Sequence, residues 1–170
     1  MFYLCSIGSN LDPHQHVSQA LGELLERFGR LHLSSVIQTK PVGMHSRHDF
    51  LNCLFVTEST LAPQQLKTFF IAMELAHGRD RSDPNCKVLD RPLDIDILAS
   101  SPTDDFAATR VDAYLNELLA ELYGQGEVHD HKVMLPLHTR LMEGKVIEEQ
   151  RVGLTPLALY QATEVSVARS

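Results

Sequence analysis

The chain has 170 residues, 44% of them hydrophobic, enough to bury a core as one domain over 1–170. Its formal net charge of -7 argues against nucleic acid or an anionic membrane as the main partner. No apolar run is long enough to cross a bilayer, residues 2–7 are too short and lack the basic leader of a signal peptide, and three cysteines show no metal-site spacing, so a soluble, cytoplasmic monomer is expected.

Residues 2–7 read as a short buried strand, followed by the turn Gly8-Ser9-Asn10. Asp12-Pro13-His14-Gln15 predicts a helix start, with Asp12 as N-cap, Pro13 at the first helical position and Gln15 closing a capping box. Val17, Ala20, Leu21, Leu24, Leu25 and Phe28 follow at helical spacing, and Gly29 ends the run. Residues 31–39 alternate as a half-buried strand does, and a polar loop runs from Lys40 to Asp49. A further strand is predicted over 50–58, with Phe50 and Asn52 on one face and Leu51 and Cys53 on the other; Cys53, like Cys5, reads as a buried free thiol. Pro63 opens a second helix with Leu66, Phe69, Phe70 and Met73 as its buried stripe, closing near Gly78.

A basic loop over 79–92 carries Arg79, Arg81, Lys87 and Arg91 and leads into a strand at about 93–99. The order strand-helix-strand-strand-helix-strand is that of a ferredoxin-like βαββαβ, an α+β fold whose antiparallel sheet has helices on one face. Residues 1–100 form this core, and 101–170 a C-terminal α/β extension. Within the extension, Val111, Leu115, Leu118, Leu119 and Leu122 predict an amphipathic helix ended by Gly124-Gln125-Gly126; a strand is predicted at 132–137 and a helix at 156–162.

The run Asp90-Arg91-Pro92-Leu93-Asp94-Ile95-Asp96-Ile97 carries the most chemistry. In a strand, residues two apart share a face, so Asp94 and Asp96 lie together while Leu93, Ile95 and Ile97 turn into a core. Two carboxylates that close repel when both are ionised, and either a proton or a cation must intervene. A hard ion such as Mg²⁺ suits oxygen ligands and commonly brings phosphates with it. A solvated strand face is the plain alternative. By the same parity, Asp94, Asp96, Phe50 and Asn52 converge on the face the helices leave open.

Ile7-Gly8-Ser9-Asn10-Leu11, Thr39-Lys40-Pro41-Val42-Gly43, Phe50-Leu51-Asn52, Glu74 with Gly78-Arg79-Asp80-Arg81, and Arg91-Pro92-Leu93-Asp94-Ile95-Asp96 occur in this order. Together they resemble the 6-hydroxymethyl-7,8-dihydropterin pyrophosphokinase family of folate biosynthesis over roughly residues 3–99. The resemblance implies Mg²⁺-dependent transfer of pyrophosphate from ATP to the hydroxymethyl group of the pterin, releasing AMP. It implies two Mg²⁺ ions on Asp94 and Asp96, and catalytic cations at Arg79, Arg81 and Arg91. It further implies ATP contacts at Glu74, Arg91, Ile97 and His138, and a pterin pocket formed by Thr39, Val42, Gly43, Phe50 and Asn52. Small molecules are the expected partners, with neither nucleic acid nor membrane.

The chain departs from the family pattern in the half that binds the ring. There is no tryptophan ahead of Arg91, where Val88 is nearest; His138 is displaced by one residue; Ile71 stands where the family has glutamine; and 101–130 reads as an insertion. A paralogue acting on another acceptor and a non-catalytic nucleotide- or pterin-binding module are the alternative readings.

Overall fold

The computed structural model describes residues 1–41, 48–80, 82, 90–141 and 146–161, with the backbone alone at 138–141 and 146–149. Its centre is an antiparallel pair of long strands, β1 (Phe2–Ser9) and β4 (Phe50–Glu58), joined in register from Phe2 opposite Glu58 to Ser9 opposite Leu51. β5 (Asp94–Ser101) pairs with the other side of β1. β2 (Arg30–Leu33) and β3 (Ile37–Thr39) both pair with β4, and β8 (Leu157–Tyr160) pairs with β2, giving the order β5-β1-β4-β2-β8. The architecture is therefore mixed α/β around an antiparallel sheet.

Helices α1 (Pro13–Phe28) and α2 (Pro63–Ala76) cover one face. Val17, Leu21 and Leu24 of α1 and Leu66, Phe70 and Met73 of α2 pack with Tyr3, Cys5, Ile7, Cys53 and Phe55 of the sheet, as the helical spacing predicts. Gly29 ends α1 at φ 77, and its N–H bonds the Leu25 carbonyl at 2.7 Å. The capping box expected at Asp12 does not form. Asp12 sits in the left-handed region at φ 47 and makes no side-chain cap; its carbonyl alone receives His16 N–H. Pro13 still occupies the first turn, where its missing N–H costs nothing.

The strand expected over 31–39 is broken in two. Ser34 exchanges bonds with Leu54 through its own N–H and, by its hydroxyl, with the Leu54 N–H at 2.8 Å. Beyond it, Val36 turns away to bond Gly153 and Val133. A serine hydroxyl that stands in for a ladder carbonyl lets the strand kink without leaving β4 unsatisfied.

The sheet's second face is not left bare, which corrects the expectation of helices on one face only. Leu4, Ile37, Leu54 and Val56 point there and form a second core with Phe106, Leu115, Leu118, Leu119 and Leu122. The stripe read at 111–122 thus becomes a 3₁₀ turn (Ala113–Leu115) and α3 (Asn116–Leu122), laid over apolar strand residues that would otherwise meet water. The expected strand near 132–137 is β6 (Leu135–Leu141), paired with β7 (Val146–Val152) in a separate two-stranded sheet against α1. The helix expected at 156–162 is instead β8, whose Leu159 is buried while Ala158 and Tyr160 are exposed; it caps the free edge of β2. Residue 162 lies outside the described residues.

Leu118 is fully buried in the second core. Leu118→Ala is predicted to destabilise the protein by about 2–5 kcal/mol. A chemical-denaturation midpoint shift measures this, and an unchanged midpoint would show that α3 is not docked on the sheet.

Candidate active site

Across β4, β1 and β5 the register sets Asn52 beside Gly8 beside Asp94, and one step on Leu54 beside Ser6 beside Asp96. Strand parity sends these side chains to the face shared with α3, which covers only part of it. The uncovered end is a cleft of about 520 Å³ with its open mouth included. Gly8 is its floor: a Cβ there would come within 2.7 Å of Asn52 Oδ1. Lack of a side chain on the central strand is what lets Asn52 lean across it.

One wall is set for a polar, flat ligand. Asn52 is buried and donates from Nδ2 to Thr39 Oγ1 at 2.6 Å, which fixes the plane of its amide. Thr39 is brought there by the short β3–β4 ladder, in which it faces Phe50. Phe50 and Lys40 continue this wall.

The opposite wall is ionic. Asp94 accepts from Arg79 Nη1 on Oδ1 at 2.8 Å and from Arg91 Nη1 on Oδ2 at 3.2 Å. Arg79 leaves the end of α2, where Gly78 at φ 96 reverses the chain and Arg79 N–H bonds the Glu74 carbonyl. Arg91 is held by the Gly8-Ser9-Asn10 turn: Asn10 Oδ1 accepts Arg91 N–H at 2.7 Å, and Asn10 N–H donates to the Arg91 carbonyl at 3.0 Å. Asn10 Nδ2 also bonds Asp90, whose other oxygen meets His48 Nδ1 at 2.6 Å. The Gly-Ser-Asn motif therefore acts as a clasp on the arginine, a role its sequence alone did not disclose.

Asp96 is exposed at the open end, yet its carboxyl is pushed up to about 6, first by desolvation against the cleft walls and then by the carboxylates of Asp94 and Glu74, with Arg79 opposing. A raised carboxyl stabilises the fold below its unfolded pKa, and that contribution is lost as pH climbs through about 6. A cation between the acids would reverse the penalty. The donors are all hard oxygens, which fits Mg²⁺. Among the described residues no group of three His, Cys, Asp or Glu gathers that could hold a metal ion.

The expected residues are thus only partly brought together. Thr39, Phe50, Asn52, Arg91, Asp94 and Asp96 line one cleft, and Arg79 reaches it through Asp94. Arg81, Val42 and Gly43, together with Lys87 and Val88, lie outside the described residues. Glu74 is fully buried, with Oε2 on Ile95 N–H at 2.8 Å and Oε1 on Arg79 at 3.2 Å, so its carboxylate does not face the cleft. Ile97 is partly buried against the helix-side core, as parity had it. His138 lies in β6, opposite Glu149 on a ladder that packs against α1; its side chain is not described.

Tyr114 was not foreseen. It stands in the 3₁₀ turn of the segment read as an insertion and lines the cleft beside the acids. Its hydroxyl is raised by burial and by Asp112, Asp96 and Asp94, against the pull of Arg91. A lone tyrosine ahead of an apolar stripe gave no signal, because only the docking of α3 carries it to the site.

The model of the 7,8-dihydro-6-hydroxymethylpterin-pyrophosphokinase family matches residues 4–144. Two relatives, from two strains of Porphyromonas gingivalis, are each named 2-amino-4-hydroxy-6-hydroxymethyldihydropteridine pyrophosphokinase. Each is 43% identical over 98 residues, covering 56% of this chain and 67% of the relative. The chain belongs to the 7,8-dihydro-6-hydroxymethylpterin-pyrophosphokinase family. It is accordingly an enzyme, a pyrophosphokinase of folate biosynthesis with ATP as co-substrate. Among the described residues no helix is long and apolar enough to cross a membrane.

Gly8→Ala is predicted to displace the Asn52 amide from Thr39 while barely changing the melting temperature, because the atom it meets is the end of a side chain. In the pterin-binding role proposed for Asn52 below, loss of that placement should raise KM for the pterin about tenfold, the worth of one hydrogen bond. Steady-state kinetics check this, and an unaltered KM would contradict it.

Proposed function

We propose that this cleft carries out the transfer of pyrophosphate from ATP to 6-hydroxymethyl-7,8-dihydropterin, with the nucleotide phosphates on the ionic wall and the pterin on the Asn52 wall. In that reaction the hydroxymethyl oxygen bonds the β-phosphorus and gives up its proton to solvent, the bond from that phosphorus to the α-phosphate oxygen breaks, and AMP leaves. The observation that carries the reading is the placement of Asp94 and Asp96 on one sheet face, with Arg79 and Arg91 both on Asp94 and the Asn52–Thr39 pair across Gly8.

The roles divide by chemistry. Asp94 and Asp96 would hold two Mg²⁺ ions, which when bound offset phosphate charge and orient the polyphosphate. Arg79 and Arg91 neutralise charge that develops on the transferred group and on the departing α-phosphate; a guanidinium can bind two phosphate oxygens at once. Arg81 would add a third cation from the same loop. Asn52 presents one amide edge to the ring, its orientation fixed by Thr39, and Phe50 supplies an apolar surface. Val42 and Gly43 belong to this pocket by resemblance, and Tyr114 adds an aromatic wall from the 101–130 segment. The nucleotide contacts implied at Ile97 and His138 are retained as proposals.

The same reading takes residues 1–100 as a ferredoxin-like core, with the rest an extension of one domain. The strand order β5-β1-β4-β2 supports it. A monomer in the cytoplasm fits a small-molecule enzyme of this charge.

The test is AMP release from ATP and the hydroxymethyl dihydropterin with Mg²⁺. The unaltered protein is expected to release AMP, and Asp94→Asn to lower kcat by about 10²–10³ while melting as a folded protein. No AMP from the unaltered protein, or full activity in Asp94→Asn, would overturn the proposal.

A further inference from the structure

Glu74 is the most deeply buried charged group beside the cleft, at 0% exposure, and burial of a carboxylate is costly unless it is paired. Its two oxygens have separate tasks. Oε2 accepts the N–H of Ile95, the residue between the two aspartates, at 2.8 Å. Oε1 accepts Arg79 Nη1 at 3.2 Å, the same nitrogen that reaches Asp94 at 2.8 Å. Residue 74 also grips Arg79 by its main chain, since the Arg79 N–H bonds the Glu74 carbonyl at 3.0 Å. One side chain on α2 thus fixes the acidic strand and the guanidinium to each other. Arg79 Nε is buried with no hydrogen-bond partner among the described residues.

We propose that Glu74 is a positioning residue for the transfer step, acting through Arg79 and not by contact with the nucleotide. The inference rests on the function proposed above. A cation that takes up Asp94 weakens its hold on the guanidiniums, and Arg79 stays anchored on Glu74 at the edge of the cleft. Without that anchor the guanidinium would follow whichever anion is nearest. Misplacement by about 1 Å is enough to cost about 100-fold in rate.

Glu74→Gln keeps the volume and an acceptor for Ile95 but removes the charge that holds Arg79. Expected is a kcat about 10- to 100-fold lower, with calorimetric affinity for ATP and Mg²⁺ within about threefold of the unaltered protein. Arg79→Gln should show a similar loss, and the double variant should be no worse than Arg79→Gln alone, because residues that act as a unit are not additive. Losses that multiply, or a Glu74→Gln effect confined to ATP affinity, would overturn the proposal. Should Glu74→Gln fail to fold, Glu74→Asp, which keeps the charge but withdraws the carboxylate by one methylene, takes its place in the same cycle. AMP release by the unaltered protein is the control: its absence overturns the proposed function, whereas its presence with multiplying losses overturns only the role of Glu74.

Discussion

The site depends on a repulsion. Strand geometry sets Asp94 and Asp96 on one face, and Asp96 is driven up toward 6, by desolvation first and then by the carboxylates of Asp94 and Glu74. The structure offsets that repulsion at one end only: Asp94 is clasped by Arg79 and Arg91, while Asp96 faces the open cleft. The asymmetry leaves one carboxylate pre-neutralised and the other in need of a positive partner. In the function proposed above, a magnesium–nucleotide complex, which carries its cation with it, would answer that need.

The surrounding fold exists to hold this imbalance in place. Gly8 on the central strand lets the Asn52 amide and the acids share one floor, and Asn10 two residues on clasps the backbone of Arg91. Glu74, at the end of α2, ties the helix to the acidic strand. Each anchor lies in a well-packed part of the molecule, so the charged groups are positioned by the core and need little ordering when substrate arrives. Bringing α3 onto the second face closes one side of the cleft with Tyr114.

What was legible in the sequence follows the range of the signal. Period-2 alternation in β4 and β5 and helical spacing in α1 and α2 are local, and they placed Asp94, Asp96, Phe50 and Asn52 on one face correctly. Three features were decided by tertiary contacts and escaped. Leu157 to Tyr160 became a strand because β2 offered an unpaired edge. The stripe at 111–122 found its partner on the second face through Leu4, Leu54 and Val56, whose outward apolar character local alternation could not weigh. Glu74 looked like a ligand contact from motif position, whereas its burial, invisible in sequence, assigns both oxygens to the protein. The wall across from the acids was less legible because it comes from segments distant in the chain: Thr39 was expected there only by resemblance, and Tyr114 not at all.

The central claim is that the acid pair is under strain without its cation. Carbon-detected NMR of the aspartate carboxyls across pH, with and without Mg²⁺, reads this directly. Without the ion, Asp96 should titrate near 6, well above the ordinary carboxylate range; saturating Mg²⁺ should bring its midpoint down. An Asp96 that titrates in the ordinary range and ignores Mg²⁺ would contradict the account.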